Sequence, residues 1–266
     1  MPVRKTVGLA LGSGAYRGFA HIGVIRSLEK HHIPIDFLSG ASIGAWAAAY
    51  YARFKDISTL EKDLIDNQQE NMSLLLDFGW NRGLISGDKF QAYLEKKLYR
   101  ADFADLSLPL NIAATDLSTG RLFVLDSGSV ALAVRASCAV PLVFKSVDYD
   151  GQPLADGGMS DPVPVDLVAK LGADITIGVN LYHHNELSAQ PYTSSNVLAR
   201  SMITMLANLS QSVMHRADVV IEPDLSAFIK KSSLAKYFDR QTADAIIRVG
   251  EAAADQAIPA IKKLLV

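Results

Sequence analysis

At 266 residues, 49% apolar and 20% charged, the chain has ordinary globular composition and enough length for one large α/β domain with a sizeable core. A net charge of −2 gives no electrostatic case for nucleic acid, and the single cysteine, Cys138, excludes an internal disulfide framework and fits a reducing, cytoplasmic compartment. No CxxC or His/Cys cluster suggests a metal, and no run approaches the ~18–20 apolar residues of a membrane span, so any membrane contact is expected to be peripheral, at the inner face.

Arg4 and Lys5 precede Val7–Leu11, but that apolar run is too short and glycine-broken for a signal peptide and reads as the first core strand. Phe19–His31 follows with the apolar spacing of a helix packed on a sheet. Ile35–Leu38 is read as the second strand, with Asp36 inside it, and Ile43–Ala52 as a buried, alanine-rich helix. Asp56–Tyr99 is more polar and predicts two or three helices joined by a loop around Gly79–Gly83. Leu110–Ala114 and Leu122–Leu125 are expected to pair around a turn containing Gly120, before a short helix over Val130–Ser137. Ser146–Tyr149 and Pro153–Ala155 flank Asp150-Gly151, a hairpin signal. Val165–Leu171 reads as helix and Ile175–Leu181 as a fully buried strand. Ser188–Ser195 is the best candidate for a surface loop; Ser195–His215 and Gln241–Leu265 are helical, with Val219–Ile221 a last short strand between them. Alternating strands and helices predict a mostly parallel sheet covered by helices, and one domain over 1–266 is the economical reading, more divergent and helical from about residue 190.

Ser42 stands at the apex of Gly40-Ala41-Ser42-Ile43-Gly44, between a strand and a helix. That arrangement suits a nucleophile elbow, whose glycines allow a sharp turn that lifts the hydroxyl clear of the backbone; the plainer alternative is a glycine-softened strand–helix turn. Upstream, Gly12-Ser13-Gly14-Ala15-Tyr16-Arg17-Gly18 lets successive amides converge on an anion ahead of a helix N-terminus. The anion is either a nucleotide phosphate or a developing oxyanion. Arg17 at the third glycine position and the lack of an acidic residue at the end of the second strand weigh against phosphate. In a parallel sheet the loop and the elbow leave strands on one edge, which favours the oxyanion. Arg17 is either an anchor or counter-charge for the loop or an ordinary surface arginine.

A serine hydroxyl needs a base. None of the histidines stands in a triad context: His21 lies one turn past the glycine loop, His31 and His32 end the first helix, and His183 and His184 read as a loop pair. Asp156, in Leu154-Ala155-Asp156-Gly157-Gly158, has open backbone around it and is the better candidate, against a turn-forming role; Asp161 competes with it.

The glycine loop with Arg17, the Gly40–Gly44 elbow and the Asp156-Gly157-Gly158 triplet occur in the order seen in patatin-like phospholipases, and the chain resembles that family's bacterial members from about Val7 to Val179. Ala114–Gly120 and Ala136-Ser137-Cys138-Ala139-Val140-Pro141 are similar to further strings of the family. The resemblance implies a three-layer α/β/α fold and a Ser–Asp dyad, with Ser42 as nucleophile and Asp156 as general base. It also implies an oxyanion hole from the amides of Gly12, Ser13, Gly14 and Ala15 assisted by Arg17, and no cofactor. Many relatives carry consecutive glycines where this chain has Ser13 and Ala15, a departure that bears on catalytic vigour.

The expected reaction is hydrolysis of carboxylic esters of lipids through an acyl-enzyme. The alternatives are an acyltransferase or thioesterase using the same dyad, or a weakly active regulatory protein that binds acyl lipid. An aspartate needs partial desolvation to serve as base, since its ordinary pKa is ~3.9. Met202, Met205 and Met214 suit an acyl groove, a core or a face for homo-oligomerisation. Lys230, Lys231, Lys236 and Arg240 beside Phe228, Tyr237 and Phe238 suit either anionic headgroups or a solvated loop.

Overall fold

A computed structural model describes residues 4–66, 85–182, 197–228 and 239–266. Among these residues eight strands form one sheet: β1 (Val7–Leu11), β2 (Phe37–Ala41), β3 (Leu110–Asp116), β4 (Arg121–Leu125), β5 (Val147–Tyr149), β6 (Gln152–Asp156), β7 (Ile175–Val179) and β8 (Val219–Ile221). Their order is β5-β6-β3-β2-β1-β7-β8, with β4 on the far side of β3. The β3-β2-β1-β7-β8 core is parallel, and β4, β5 and β6 add antiparallel pairs.

Alternation along the strands sorts two helical layers. Val7, Leu9 and Leu11 of β1 and Ile175, Ile177 and Val179 of β7 enter the main core. There they meet α1 (Phe19–Lys30), α2 (Ile43–Phe54) and α8 (Arg240–Leu265). Ala10, on the opposite face of β1, packs with Val165 and Val168 of α6 (Val165–Lys170) and Val213 and Met214 of α7 (Val197–Met214). The three-layer α/β/α arrangement follows. Helices α3 (Ser58–Asp66) and α4 (Asp88–Lys97) lie between α2 and β3 in sequence, and α5 (Val130–Ser137) follows β4, its N-terminus capped by Ser129 Oγ, which accepts the Leu132 amide at 3.3 Å.

Most elements fall where the patterning places them, with one informative shift. The second strand runs over Phe37–Ala41, later than Ile35–Leu38, and Asp36 precedes it. Apolarity ends at Leu38, but the ladder to β1 continues through Ser39 and Gly40, and the Ser39 hydroxyl satisfies itself in the core by donating to the Pro164 carbonyl at 2.7 Å. Asp36 instead takes a bidentate contact from Arg4, at 2.6 and 2.8 Å, and the Val7 amide. The first helix is also preceded by a 3-10 turn, Ala15–Gly18. The sequence motifs at Gly79–Gly83, His183, His184, Ser188–Ser195 and Lys230–Phe238 lie outside the described residues. Among the described residues no helix is long and apolar enough to cross a membrane.

Candidate active site

Strand β3 brings the distant segments together. Parallel β2 pairs with its first half, ending at Ala41↔Ala113, while antiparallel β6 pairs with its second half, ending at Ala114↔Asp156. Because β4 occupies the other side of β3, β2 and β6 meet head-on along one edge with their carboxyl ends facing. Ser42 immediately follows one end and Asp156 is the other. Ser42 Oγ donates to Asp156 Oδ2 at 2.6 Å, and both residues are buried.

The elbow holds Ser42 at φ 54, ψ −124, outside the regions a non-glycine residue prefers, at a cost of about 1–3 kcal/mol. Packing explains why the conformation persists. A β-carbon at Gly44 would lie 2.1 Å from the Leu11 carbonyl oxygen, so only glycine lets α2 start this close to β1. The Ser42 carbonyl accepts the Ala45 and Trp46 amides at 2.9 and 3.2 Å, and its amide donates to Ser137 Oγ at 2.8 Å.

Burial lifts the Asp156 carboxyl from its ordinary 3.8 to about 6, opposed by hydrogen bonds from Ser42 and from the Gly158 amide, the latter at 2.8 Å. The Cys138 thiol neighbours the pair: burial and the Asp156 charge push its pKa up, while the Arg135 charge opposes them. Asp161 stands apart. Its charged neighbours are Asp166, Arg216 and Lys170, and burial first, then Asp166, raises it to about 6.

The glycine loop divides its amides. Gly12 N–H donates to the Val179 carbonyl at 3.0 Å and Ser13 N–H to the Pro162 carbonyl at 2.8 Å. The amides of Gly14 and Ala15 carry no hydrogen bond among the described residues, and Ala15 adopts a left-handed φ of 53. Arg17 is not a surface residue. It is buried, its guanidinium lies 5.0 and 5.4 Å from the Tyr16 and Tyr182 ring centroids, and Nη1 donates to the Gly14 carbonyl at 3.4 Å. His21 is likewise committed, its Nε2 2.7 Å from the Gly12 carbonyl oxygen and its ring wholly buried. Burial lowers its pKa to about 4, so the neutral ring donates through Nε2. Two loop carbonyls are thereby pinned by side chains from the following turn and helix. Ser13 Oγ is buried without a partner among the described residues, and both it and Asp156 Oδ1 lie within 3.0 Å of where a β-carbon on Gly158 would sit.

The arrangement offers an alcohol hydrogen-bonded to a desolvated carboxyl, with two free backbone donors on a neighbouring loop of the same sheet edge. Sequence reading missed Ser137, whose only signal was its place in the Ala136–Pro141 string, and weighed His21 solely as a base. Of the methionines, Met214 is core and Met205 is exposed.

The profile of the family described as patatin-like phospholipase matches residues 9–169. An uncharacterised NTE family protein of Mycobacterium bovis is 33% identical over 207 residues, 77% of this chain and 56% of that protein. Lysophospholipase NTE1 of Pyricularia oryzae is 33% identical over 181 residues, 66% of this chain and 12% of that protein. The chain thus spans about half the length of the first relative and a small part of the second. Among solved structures, VipD from Legionella pneumophila shares the fold, with a TM-score of 0.62 at 16% identity over 98% of this chain and 67% of that one.

Proposed function

The chain belongs to the patatin-like phospholipase family, and on that premise we propose that it hydrolyses carboxylic esters of lipids with Ser42 as nucleophile and Asp156 as general base. The observation that carries this reading is the 2.6 Å contact between Ser42 Oγ and a buried Asp156. Ser42 Oγ attacks the ester carbonyl as its proton passes to Asp156 Oδ2, so no free alkoxide forms. A carboxylate lifted to about 6 is a stronger base than an ordinary aspartate yet is still ionised at neutral pH. The negative oxygen of the tetrahedral intermediate is held by the Gly14 and Ala15 amides, those of Gly12 and Ser13 being engaged in the fold. One such donor is worth about 3–4 kcal/mol in comparable sites. Arg17 and His21 act behind them by fixing the loop carbonyls. Collapse expels the alcohol, which takes the proton from Asp156, and leaves an acyl group on Ser42; Asp156 then activates water for the second half.

The lysophospholipase name of the fungal relative supports a single-chain phospholipid, or a similar acyl ester presented at a lipid surface, as the substrate class. Intact-mass analysis after treatment with a fluorophosphonate tests the nucleophile. The native protein is expected to gain one phosphonyl adduct and to cleave a lysophospholipid, and Ser42→Ala to do neither. A Ser42→Ala variant that keeps both would overturn the assignment.

A further inference from the structure

The Ala136–Pro141 string contributes no group to the chemistry above, yet the turn it forms touches both halves of the pair. Ser137 is fully buried at the end of α5. Its hydroxyl accepts the Ser42 amide at 2.8 Å and donates its one proton to the Ala113 carbonyl at 2.7 Å. Both directions are forced, because an amide N–H only donates and a carbonyl only accepts. Two residues on, the Ala139 carbonyl accepts the Asp156 amide at 3.1 Å.

We propose that the Ser137–Ala139 turn sets the separation of Ser42 from Asp156, with Ser137 as the positioning residue that holds the nucleophile's backbone. This rests on the assignment of Ser42 and Asp156 made above. The Ser42 amide has no other partner among the described residues, and its backbone angles are ones the chain would leave if released. Without the hydroxyl, that amide is buried and unpaired, and relaxation of the elbow carries Oγ away from Asp156. Substrate contacts elsewhere are untouched, so the loss falls on kcat and not on KM.

The test compares fluorophosphonate labelling rate, kcat and KM on a p-nitrophenyl acyl ester, and thermal stability, for the native protein, Ser137→Ala, Ser137→Cys and Ser39→Ala. Ser39 is a matched control, a fully buried serine in β2 whose hydroxyl donates to the Pro164 carbonyl at 2.7 Å and does not contact Ser42. Ser137→Ala is expected to slow labelling and kcat roughly 10- to 100-fold with KM within about twofold, the scale of a small displacement of a reacting atom. Ser137→Cys, nearly isosteric but a weak acceptor, falls between under reducing conditions, and gives the reading if the alanine variant does not fold. Ser39→Ala loses comparable thermal stability and keeps its labelling rate. Native labelling rates in either Ser137 variant, or an equal kinetic loss in Ser39→Ala, overturn the proposal. A native protein that does not label at all takes down the Ser42 assignment itself, and this inference with it.

Discussion

Asp156 links the chemistry of the site to the pH dependence of both activity and stability. The base must be ionised, so kcat/KM is expected to rise with pH through about 6 and not near the ordinary 3.8; a steady-state pH profile measures the midpoint. Stability runs the other way. A carboxyl whose folded pKa is raised favours the native state while protonated, so the protein is most stable below about 4 with respect to this group and loses that contribution as pH rises through about 6. The lift from 3.8 to about 6 corresponds to about 3 kcal/mol. Asp156→Asn should therefore abolish turnover while raising the unfolding free energy above pH ~6 by up to that amount, and by nothing near pH ~4, in chemical denaturation at the two pH values. Asp161, raised by burial in the same direction, provides the contrast. Asp161→Asn should also stabilise above pH ~6, yet leave turnover intact. Sequence alone made Asp156 the better candidate, on its Asp-Gly-Gly string, with Asp161 as a competitor; the register of β6 on β3 then sets Asp156 against Ser42.

At the scale of elements, the β2–α2 elbow is tightly constrained by backbone contacts. A methyl on Gly44 meets the Leu11 and Gly12 carbonyl oxygens at 2.1 and 2.6 Å, backbone atoms that cannot yield without moving β1 and the glycine loop. Gly44→Ala is expected to lower the unfolding free energy by more than about 3 kcal/mol and to abolish labelling, read by urea titration and intact mass. The elbow was legible because glycine, serine and flanking apolar runs mark it in the sequence. The end of β2 was less so: Ser39-Gly40-Ala41 is small and weakly apolar, and its strand conformation comes from ladder bonds to both neighbours. The glycine loop was recognisable as an amide cradle, but which amides remain free depends on Val179 and Pro162, more than a hundred residues away.

Across the whole molecule, the carboxyl-terminal helix supports the site from behind. Helices α1 and α8 meet backbone to backbone, with β-carbons on Gly23 and Gly250 landing 1.9 Å from the Ile247 carbonyl oxygen and 2.2 Å from that of Ala20. Ser27 of α1 and His31, just after it, bond Asp255 of α8 at 2.5 and 3.1 Å. Because α1 also carries His21, which pins Gly12, spreading this crossing disturbs the loop. Gly250→Val is expected to cost several kcal/mol by thermal unfolding and to slow labelling more than a surface change of equal volume. The apolar stripe of α8, with Ile247, Ala254, Ile258 and Ile261 on one face, could be read from its period, but the helix that receives it could not.

By itself the sequence determined the alternation of strands and helices, the elbow, the glycine cradle and the small set of side chains able to serve as nucleophile and base. Those features are local, written in the periodicity and turn chemistry of short segments. The tertiary structure alone decided that β2 and β6 meet end to end on one edge of β3, which sets Asp156, the base the sequence favoured, against Ser42, that Arg17 and His21 face inward, and that Ser137 grips the elbow. Each of these depends on pairing register and burial between segments remote in the chain, where one residue of slip would turn the side chains to the opposite face.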